Sequence, residues 1–184
     1  MTHPTRPSRV PARGTAQGDG IVTGSGPVIV DAFIDFLCPF CRRFELSAEP
    51  VLADLVARGA NRLVDHPMNF LDEASTTSYS SRAAAASGCA ADQGRFIEYA
   101  HELFASQPPE GGPGLSDAEL ADLGAAAGLS AATFGACLAQ RPYLDWPAYV
   151  TARAVALGVS GTPTVLVDGV MVKPDAPSIT AAVG

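Results

Sequence analysis

Apolar runs divide the chain into two strand-rich parts with a helical part between them. The run at 28–36 predicts a buried strand, and the run at 62–70 predicts a second one. Near the C-terminus, apolar runs at 165–167 and 170–172 flank Asp168-Gly169, which predicts a hairpin with an Asp-Gly turn. The pattern therefore indicates an α/β chain whose strand-rich halves are separated by helices.

Helical patterns fill most of the remaining chain. We predict a first helix from Pro39 to near Gly59 that bends or restarts at Pro50, because a proline inside a helix removes a hydrogen bond and clashes with the preceding turn. Apolar residues at helical spacing predict further helices over residues 76–91, 96–106 and 149–157.

Two helix-capping serines predict further helices between these segments. Ser116 opens a capping box with Glu119, and Ser130 is a second cap, so a helix is expected to follow each serine. Trp146-Pro147 is expected to break the helix that enters the final segment, and to pack the helical part onto the core rather than bind a substrate.

The first residues of the chain differ in composition from the rest. Residues 1–20 are rich in Pro, Arg, Gly and Thr, and their lack of an apolar run predicts a disordered N-terminal segment. The chain has 184 residues, 47% of them hydrophobic, which is enough for one sizeable core. We therefore predict a single domain over residues 26–184 with a helical insertion at about 75–157.

Location is predicted from what the sequence lacks. The N-terminal segment has basic residues without the apolar stretch of a secretory signal, and no stretch of the sequence approaches the length of a membrane span. These features predict a cytoplasmic protein without a membrane anchor. The alternative is an exported protein, if the chain is not the full precursor.

The charge of the chain argues against two classes of partner. Its formal net charge is −7 at pH 7, and its basic residues cluster only at Arg42-Arg43 and, more loosely, at Arg6, Arg9 and Arg13. Neither nucleic acid nor an anionic membrane is expected to bind such a chain.

The segment Cys38-Pro39-Phe40-Cys41 carries the clearest chemical signal. If Pro39 occupies the first turn of the helix, Cys38 lies at the helix N-terminus, where free amides and the helix dipole favour a thiolate. Cys38 is then the nucleophile, and Cys41, nearly one turn further on, resolves mixed disulfides. The alternative is half of a zinc site, but such sites need further ligands, and Cys89 and Cys137 stand alone and far apart.

A second chemical signal precedes the C-terminal hairpin. The run Gly161-Thr162-Pro163-Thr164 places a proline at the mouth of a strand, and Thr162-Pro163 is a candidate cis peptide bond. The alternative is a trans proline that simply begins the strand.

Together these residues resemble the DsbA-like thiol-disulfide oxidoreductases of bacteria, within the thioredoxin superfamily. The resemblance rests on an acidic residue, two apolar residues and CPxC at 35–41, on the Gly-Thr-Pro-Thr run at 161–164, and on an Ala-rich helical stretch with Cys, Gln-Gly and Phe at 85–96. It covers roughly residues 26–184. It implies an α/β thioredoxin fold with an inserted all-helical subdomain, and disulfide exchange with protein or peptide substrates.

The resemblance also implies roles for particular residues. Cys38 and Cys41 are the expected catalytic residues. The expected substrate-binding residues are Pro39, Phe40, Thr162 and Pro163. No cofactor and no metal are expected; the expected partners are thiol- or disulfide-containing proteins and a redox partner that recycles the active site. We expect a monomer.

Relatives of this kind often join the positions of Cys89 and Cys137 by a structural disulfide. Such a bridge would close a loop of about 49 residues and stabilise the fold by roughly 3 to 4 kcal/mol in the chain-entropy treatment. In a reducing compartment both would remain thiols and pack as small hydrophobic side chains.

Two positions depart from the family pattern. The buried acid that relatives carry six residues before the first cysteine is replaced by Ala32, and strand alternation places Asp31 and Asp35 on the opposite face. Phe40 stands where the strongest oxidants of the family have a histidine, so we expect a less extreme oxidant.

Isolated histidines are expected to have structural positions, and two other functional classes remain as alternatives. His66 is expected at the surface or at a strand end, and His101 is expected to be structural. A non-catalytic peptide-binding or holdase module would keep the fold and use the thiols structurally. A glutathione-using relative would not need the second thiol of the CPFC segment.

Overall fold

A computed structural model describes residues 5–184 and contains one mixed sheet. Its strands, in the spatial order β1-β3-β2-β4-β5, are β1 (Ile21–Gly24), β2 (Val28–Ile34), β3 (Asn61–Pro67), β4 (Thr164–Val167) and β5 (Val170–Val172). The central pair β2 and β3 is parallel, whereas the β1–β3, β2–β4 and β4–β5 pairs are antiparallel. The Asp-Gly hairpin between β4 and β5 is present, with positive φ angles at Asp168 and Gly169.

The helices are α1 (Pro39–Ala57), α2 (Tyr79–Asp92), α3 (Phe96–Ala105), α4 (Asp117–Ala126), α5 (Ala131–Gln140), α6 (Trp146–Ala156) and α7 (Ala176–Val183), with a short 3-10 helix at Asp72–Ala74. Helices α2 to α6 are inserted between β3 and β4, so the predicted α/β class with an all-helical insertion is confirmed. The short strand β1 and the terminal helix α7 were not predicted. Within residues 5–184, none of the helices has the length and hydropathy needed to cross a membrane.

Helix α1 follows the central strand and covers one face of the sheet. Its buried side chains Phe44, Ala48, Leu52 and Leu55 recur at helical spacing. Pro50 lies inside this helix without dividing it, contrary to the expected restart. Pro50 is solvent-exposed, so the carbonyl that loses its partner faces water while the buried side packs continuously.

The caps of the inserted helices match the sequence prediction. Ser116 accepts a hydrogen bond from the Glu119 amide, and the Glu119 carboxylate accepts one from the Ser116 amide. Ser130 caps α5 in the same way through the Thr133 amide. Trp146 and Pro147 begin α6 instead of breaking a helix, because proline is tolerated in the first turn.

Residues 5–20 differ from the expected disordered segment; residues 1–4 lie outside the described part of the chain. The segment has little regular structure, yet it is hydrogen-bonded to the inserted helices. Trp146 Nε1 donates to the Gly18 carbonyl at 2.8 Å, and Tyr149 Oη donates to the Gln17 carbonyl at 2.8 Å. Arg153 binds Asp19 at 3.1 Å. Backbone carbonyls make most of these contacts, so composition alone did not reveal them.

His66 is buried rather than exposed at a strand end. Its Nδ1 lies 2.6 Å from the Asp19 carbonyl, its Nε2 lies 2.9 Å from the Asp31 carboxylate, and its ring stacks on Phe33 with centroids 4.3 Å apart. The N-terminal segment covers this face of the sheet, which explains the burial of a histidine that local sequence placed at the surface.

Candidate active site

The CPFC segment lies at the junction of β2 and α1. Cys38 is the N-cap residue of α1 with extended backbone, Pro39 occupies the first turn, and the Cys41 amide donates a hydrogen bond to Cys38 Sγ at 3.4 Å. The sulfur of Cys38 therefore replaces the side-chain oxygen that usually caps a helix. The central strand β2 ends at Ile34, and a short loop connects it to α1. The N-terminus of α1 therefore lies at the end of the central strand.

Hydrogen bonds lower the pKa of Cys38 to about 6. The largest contribution is the hydrogen bond with the Cys41 side chain; burial acts in the opposite direction, and the Thr162 side chain and the amides of Cys41 and Phe40 lower the pKa further. These donors stabilise a thiolate more than a thiol. At neutral pH, Cys38 is therefore mainly a thiolate.

Cys41 has the opposite character. It is completely buried, and burial, together with the neighbouring Cys38, raises its pKa well above 9. The Asp35 amide donates a hydrogen bond to Cys41 Sγ at 3.4 Å. Cys38 retains 3% exposure, and Cys41 has 0%.

The Thr162-Pro163 loop lies against the first cysteine. The thiol of Cys38, when protonated, donates to the Thr162 carbonyl at 3.3 Å, and the Thr162-Pro163 peptide bond is cis. Thr162 and Pro163 are partly exposed beside the sulfur. Phe40 is 61% exposed, and the Arg43 guanidinium lies 4.5 Å above the centre of its ring.

Asp35 is an important residue of the site for which no role was predicted from the sequence. Its carboxylate is fully buried and accepts hydrogen bonds from the Leu37 amide (2.9 Å), the Leu71 amide (2.9 Å) and the Ser80 hydroxyl (2.6 Å). Burial raises its pKa to about 6, those hydrogen bonds act against this rise, and the nearby Cys38 thiolate adds to it.

Asp35 directly follows β2, which ends at Ile34. Asp35 belongs to the loop, and its bond to the amide two residues on is typical of an aspartate that organises a turn. The presence of an aspartate immediately before a Cys-containing turn was the local signal for this role.

At position 32 of β2, where relatives carry a buried acid on the α1 face of the sheet, this chain has an alanine. Its register partner on β3 is Asp65, which lies on the same face because paired residues in adjacent strands point the same way. Asp65 is buried, and its Oδ2 has no hydrogen-bond partner among residues 5–184. An acid is therefore present on this face, but on the neighbouring strand.

Gln107 belongs to the helical insertion, and its side chain binds the loop that contains Cys38. Its side-chain amide donates to the Phe36 carbonyl at 2.9 Å and to the Cys38 carbonyl at 3.0 Å. No role is predictable for Gln107 from the sequence, because a glutamine after a helix gives no local sign of its distant partner.

The other two cysteines are joined away from this segment. Cys89 on α2 and Cys137 on α5 form a disulfide with their Cα atoms 6.0 Å apart, whereas Cys38 and Cys41 are free. In the part of the chain that is described, no group of three or more His, Cys, Asp or Glu residues is arranged to hold a metal ion.

The sheet, the helix-capping CxxC segment and the loop beside it define a thioredoxin-fold oxidoreductase. The Thioredoxin family model matches residues 17–182. DsbA of Mycobacterium tuberculosis in its oxidised form is 33% identical, with 83% of this chain and 84% of that chain covered and a TM-score of 0.73. The chain therefore belongs to the thioredoxin family, as a DsbA-like member.

The chain is also similar to two further proteins. The reduced disulfide bond oxidoreductase DsbG of M. tuberculosis is 33% identical over 85% of this chain and 81% of that chain, with a TM-score of 0.75. The serine/threonine-protein kinase PknE of M. tuberculosis is 37% identical over 114 residues. That match covers 57% of this chain but only 20% of the kinase, so the chain spans about a fifth of the length of this curated relative.

Proposed function

We propose that the protein exchanges disulfides with protein or peptide substrates through Cys38 and Cys41. The observation that carries the proposal is the contrast between the two sulfurs: Cys38 has a pKa of about 6 at a helix N-terminus, and Cys41 is a buried thiol with a raised pKa behind it. A nucleophile and a protected resolving thiol are the two elements that exchange through a mixed disulfide requires.

In the oxidising direction, a substrate thiolate attacks Cys38 Sγ of the Cys38–Cys41 disulfide. A substrate–Cys38 bond forms, the Cys38–Cys41 bond breaks, and Cys41 leaves as a thiolate that then takes up a proton. A second substrate thiolate attacks the substrate sulfur of the mixed disulfide, and Cys38 leaves as a thiolate. The substrate loses two electrons to the cysteine pair. Reduction of a substrate disulfide is the reverse sequence.

The low pKa of Cys38 also bears on direction. A stabilised thiolate is a good leaving group and stabilises the reduced protein, which makes the disulfide more oxidising. A redox partner must then return the pair to the disulfide form after each cycle.

Substrate binding is proposed at the exposed surface around Cys38. Pro39 and Phe40 supply an apolar rim, and the Thr162-Pro163 loop offers backbone groups beside the sulfur. An extended peptide can pair with such a loop through main-chain hydrogen bonds, which explains how varied sequences could bind.

The test compares two single variants. Cys38→Ser should abolish both insulin reduction and oxidation of a reduced model peptide, because it removes the attacking and leaving sulfur. Cys41→Ser should accumulate mixed disulfides that non-reducing electrophoresis and mass spectrometry detect. Equilibration of the wild-type protein with glutathione buffers gives the reduction potential and hence the favoured direction. Wild-type turnover by Cys38→Ser would refute the proposal.

A further inference from the structure

A cavity lies between α1, α3 and the sheet, on the face that carries Ala32. Its volume is about 210 Å³, and it is lined mainly by apolar side chains, among them Ile34, Phe44, Leu52, Leu63, Phe96 and Ala100. An apolar cavity of about 150 Å³ is sufficient for a benzene molecule. This cavity therefore has room for a small organic ligand.

Three carboxyl groups also line the cavity. Glu45 and Glu49 lie one turn apart on α1, and Asp65 lies on β3. No arginine, lysine or histidine of the described chain is part of the lining. Glu45 and Glu49 are half-buried, so the acidic end of the cavity communicates with solvent.

Asp65 is the unusual member of this group. The residue is 7% exposed, its Oδ2 is buried without a hydrogen-bond partner among residues 5–184, and it faces the cavity. Burial, followed by the charge of Glu45, raises the pKa of Asp65 well above its usual range. A buried carboxylate without a partner is costly, and a cation in the cavity would remove that cost.

The chemistry of the lining distinguishes an organic cation from a metal ion. The three carboxyl groups are not arranged to hold a metal, since the described residues contain no such cluster. A bare metal ion would also leave the apolar walls without a contact. A cation with a hydrocarbon body satisfies both parts of the lining, because its charge meets the carboxylates and its body fills the apolar volume.

We propose that this cavity binds a primary alkylammonium or arylalkylammonium ion of about six to eight non-hydrogen atoms, sized from the cavity volume. The ammonium group lies between Asp65 and Glu45, and the hydrocarbon body contacts Phe44 and Phe96. Neither Cys38 nor Cys41 lines the cavity, so the proposal does not depend on the function proposed for them.

The pH dependence of binding has a defined sign. Burial and the charge of Glu49 raise the pKa of Glu45 to about 7. The titratable groups facing Glu45 are Glu49 on α1 and Asp65 on β3, while the lining residues of α3 and β1 do not titrate. An alkylammonium ion stays charged up to about pH 10. Binding should therefore be tighter at pH 8, where Glu45 is mostly ionised, than at pH 6.

The experiment uses hexylammonium chloride as the probe and 1-hexanol as its neutral counterpart. Calorimetric titration of the wild-type chain at pH 8, with ligand up to about 10 mM, should detect hexylammonium binding in the range open to so small a ligand. Asp65→Asn should weaken it by at least about tenfold, the loss of one charge contact. Asp122→Asn, which changes an exposed aspartate on α4, should leave it unchanged.

Glu45→Gln provides a second variant at a half-buried position, should Asp65→Asn fail to fold. It should weaken hexylammonium binding and reduce the difference between pH 6 and pH 8, of which Asp65, whose pKa is also raised, retains a part. The proposal is overturned if hexylammonium does not bind, if 1-hexanol binds as tightly, or if both acidic variants bind it like the wild type.

Discussion

Each of the two cysteine pairs of this protein can exist as two thiols or as a disulfide, but the surroundings of the two pairs are very different. Cys38 and Cys41 are three positions apart at the start of α1, and both are free; Cys89 and Cys137 are 48 positions apart on α2 and α5 and are bonded. The first pair lies where helix amides, the Thr162 carbonyl and a buried aspartate meet. The second joins two helices of the insertion.

Under the proposed function, position in the fold, rather than the thiol itself, determines which pair exchanges disulfides. A sulfur at a helix N-terminus is stabilised as a thiolate and can attack or leave. A disulfide between two packed helices reduces the number of conformations open to the unfolded chain, and neither of its sulfurs is a low-pKa thiol. Four predictions test this division, in order of expected effect.

The largest effect is expected from removing the second pair. Cys89→Ala with Cys137→Ala should lower the free energy of unfolding by about 3 to 4 kcal/mol, because the bridge no longer restricts a loop of about 49 residues. Urea unfolding monitored by circular dichroism measures this change. Exchange per folded molecule should remain at the wild-type level. Loss of exchange in a still folded variant would show that the two pairs are not separate in function.

The next prediction concerns pH and applies to the first pair alone. The Cys38 thiolate should give an absorbance step at 240 nm with a midpoint at about pH 6 in the reduced protein, and no such step in the oxidised protein. Because the folded pKa lies below the unfolded value, this thiolate stabilises the reduced fold fully above the unfolded pKa of about 8.5. That contribution is lost as pH falls through about 6.

The stability of reduced protein, measured relative to oxidised protein, should therefore rise between pH 6 and pH 8.5 by at most about 1.4 kcal/mol per pH unit. Asp35 titrates in the same region but is present in both forms, so the comparison largely removes its contribution. A thiolate midpoint near pH 8.5 would contradict the assignment of Cys38 as the activated sulfur.

A smaller effect is expected from the buried acid beside the site. Asp35→Asn removes a negative charge near Cys38, so the pKa of Cys38 should fall, by up to about one unit. The 240 nm titration measures the shift, and Asp145→Asn, at an exposed position, is the matched control. An unchanged Cys38 pKa would mean that Asp35 only holds the loop through Leu37, Leu71 and Ser80.

The smallest effect is expected at Gln107. Gln107→Ala removes the two hydrogen bonds to the Phe36 and Cys38 carbonyls and should lower the free energy of unfolding by about 1 kcal/mol. Exchange should slow several-fold, since the loop that holds Cys38 loses its support from the insertion. Gln140→Ala, at an exposed residue of α5, should change neither quantity.

Local sequence patterns were sufficient to predict several elements of the fold, including those nearest the site. The apolar run of β2, the proline after Cys38, the Asp-Gly hairpin and the caps at Ser116 and Ser130 each depend on residues close in sequence. Their geometry follows from backbone preference and short-range hydrogen bonds, which the sequence displays directly. The same locality explains why Cys38 and Cys41 were identifiable as a pair before any fold was known.

The features that the sequence did not reveal depend on contacts between residues far apart in the chain. Residues 5–20 are held by side chains more than 120 positions away, and His66 is buried because that segment covers it. Asp35 receives its hydrogen bonds from Leu71 and Ser80, which no local pattern connects to it. Composition predicts the average behaviour of such segments, but burial depends on what the rest of the chain places against them.

The sequence by itself determined the α/β class, the inserted helices and the cysteine pair, because each has a local signature. Only the tertiary structure decided which acids lie at the site, how the Thr162-Pro163 loop meets Cys38, and that Asp65 rather than residue 32 supplies the acid on the α1 face. The physical reason is that pKa values and burial depend on the sum of all neighbours within a few ångströms, and folding brings those neighbours from both ends of the chain.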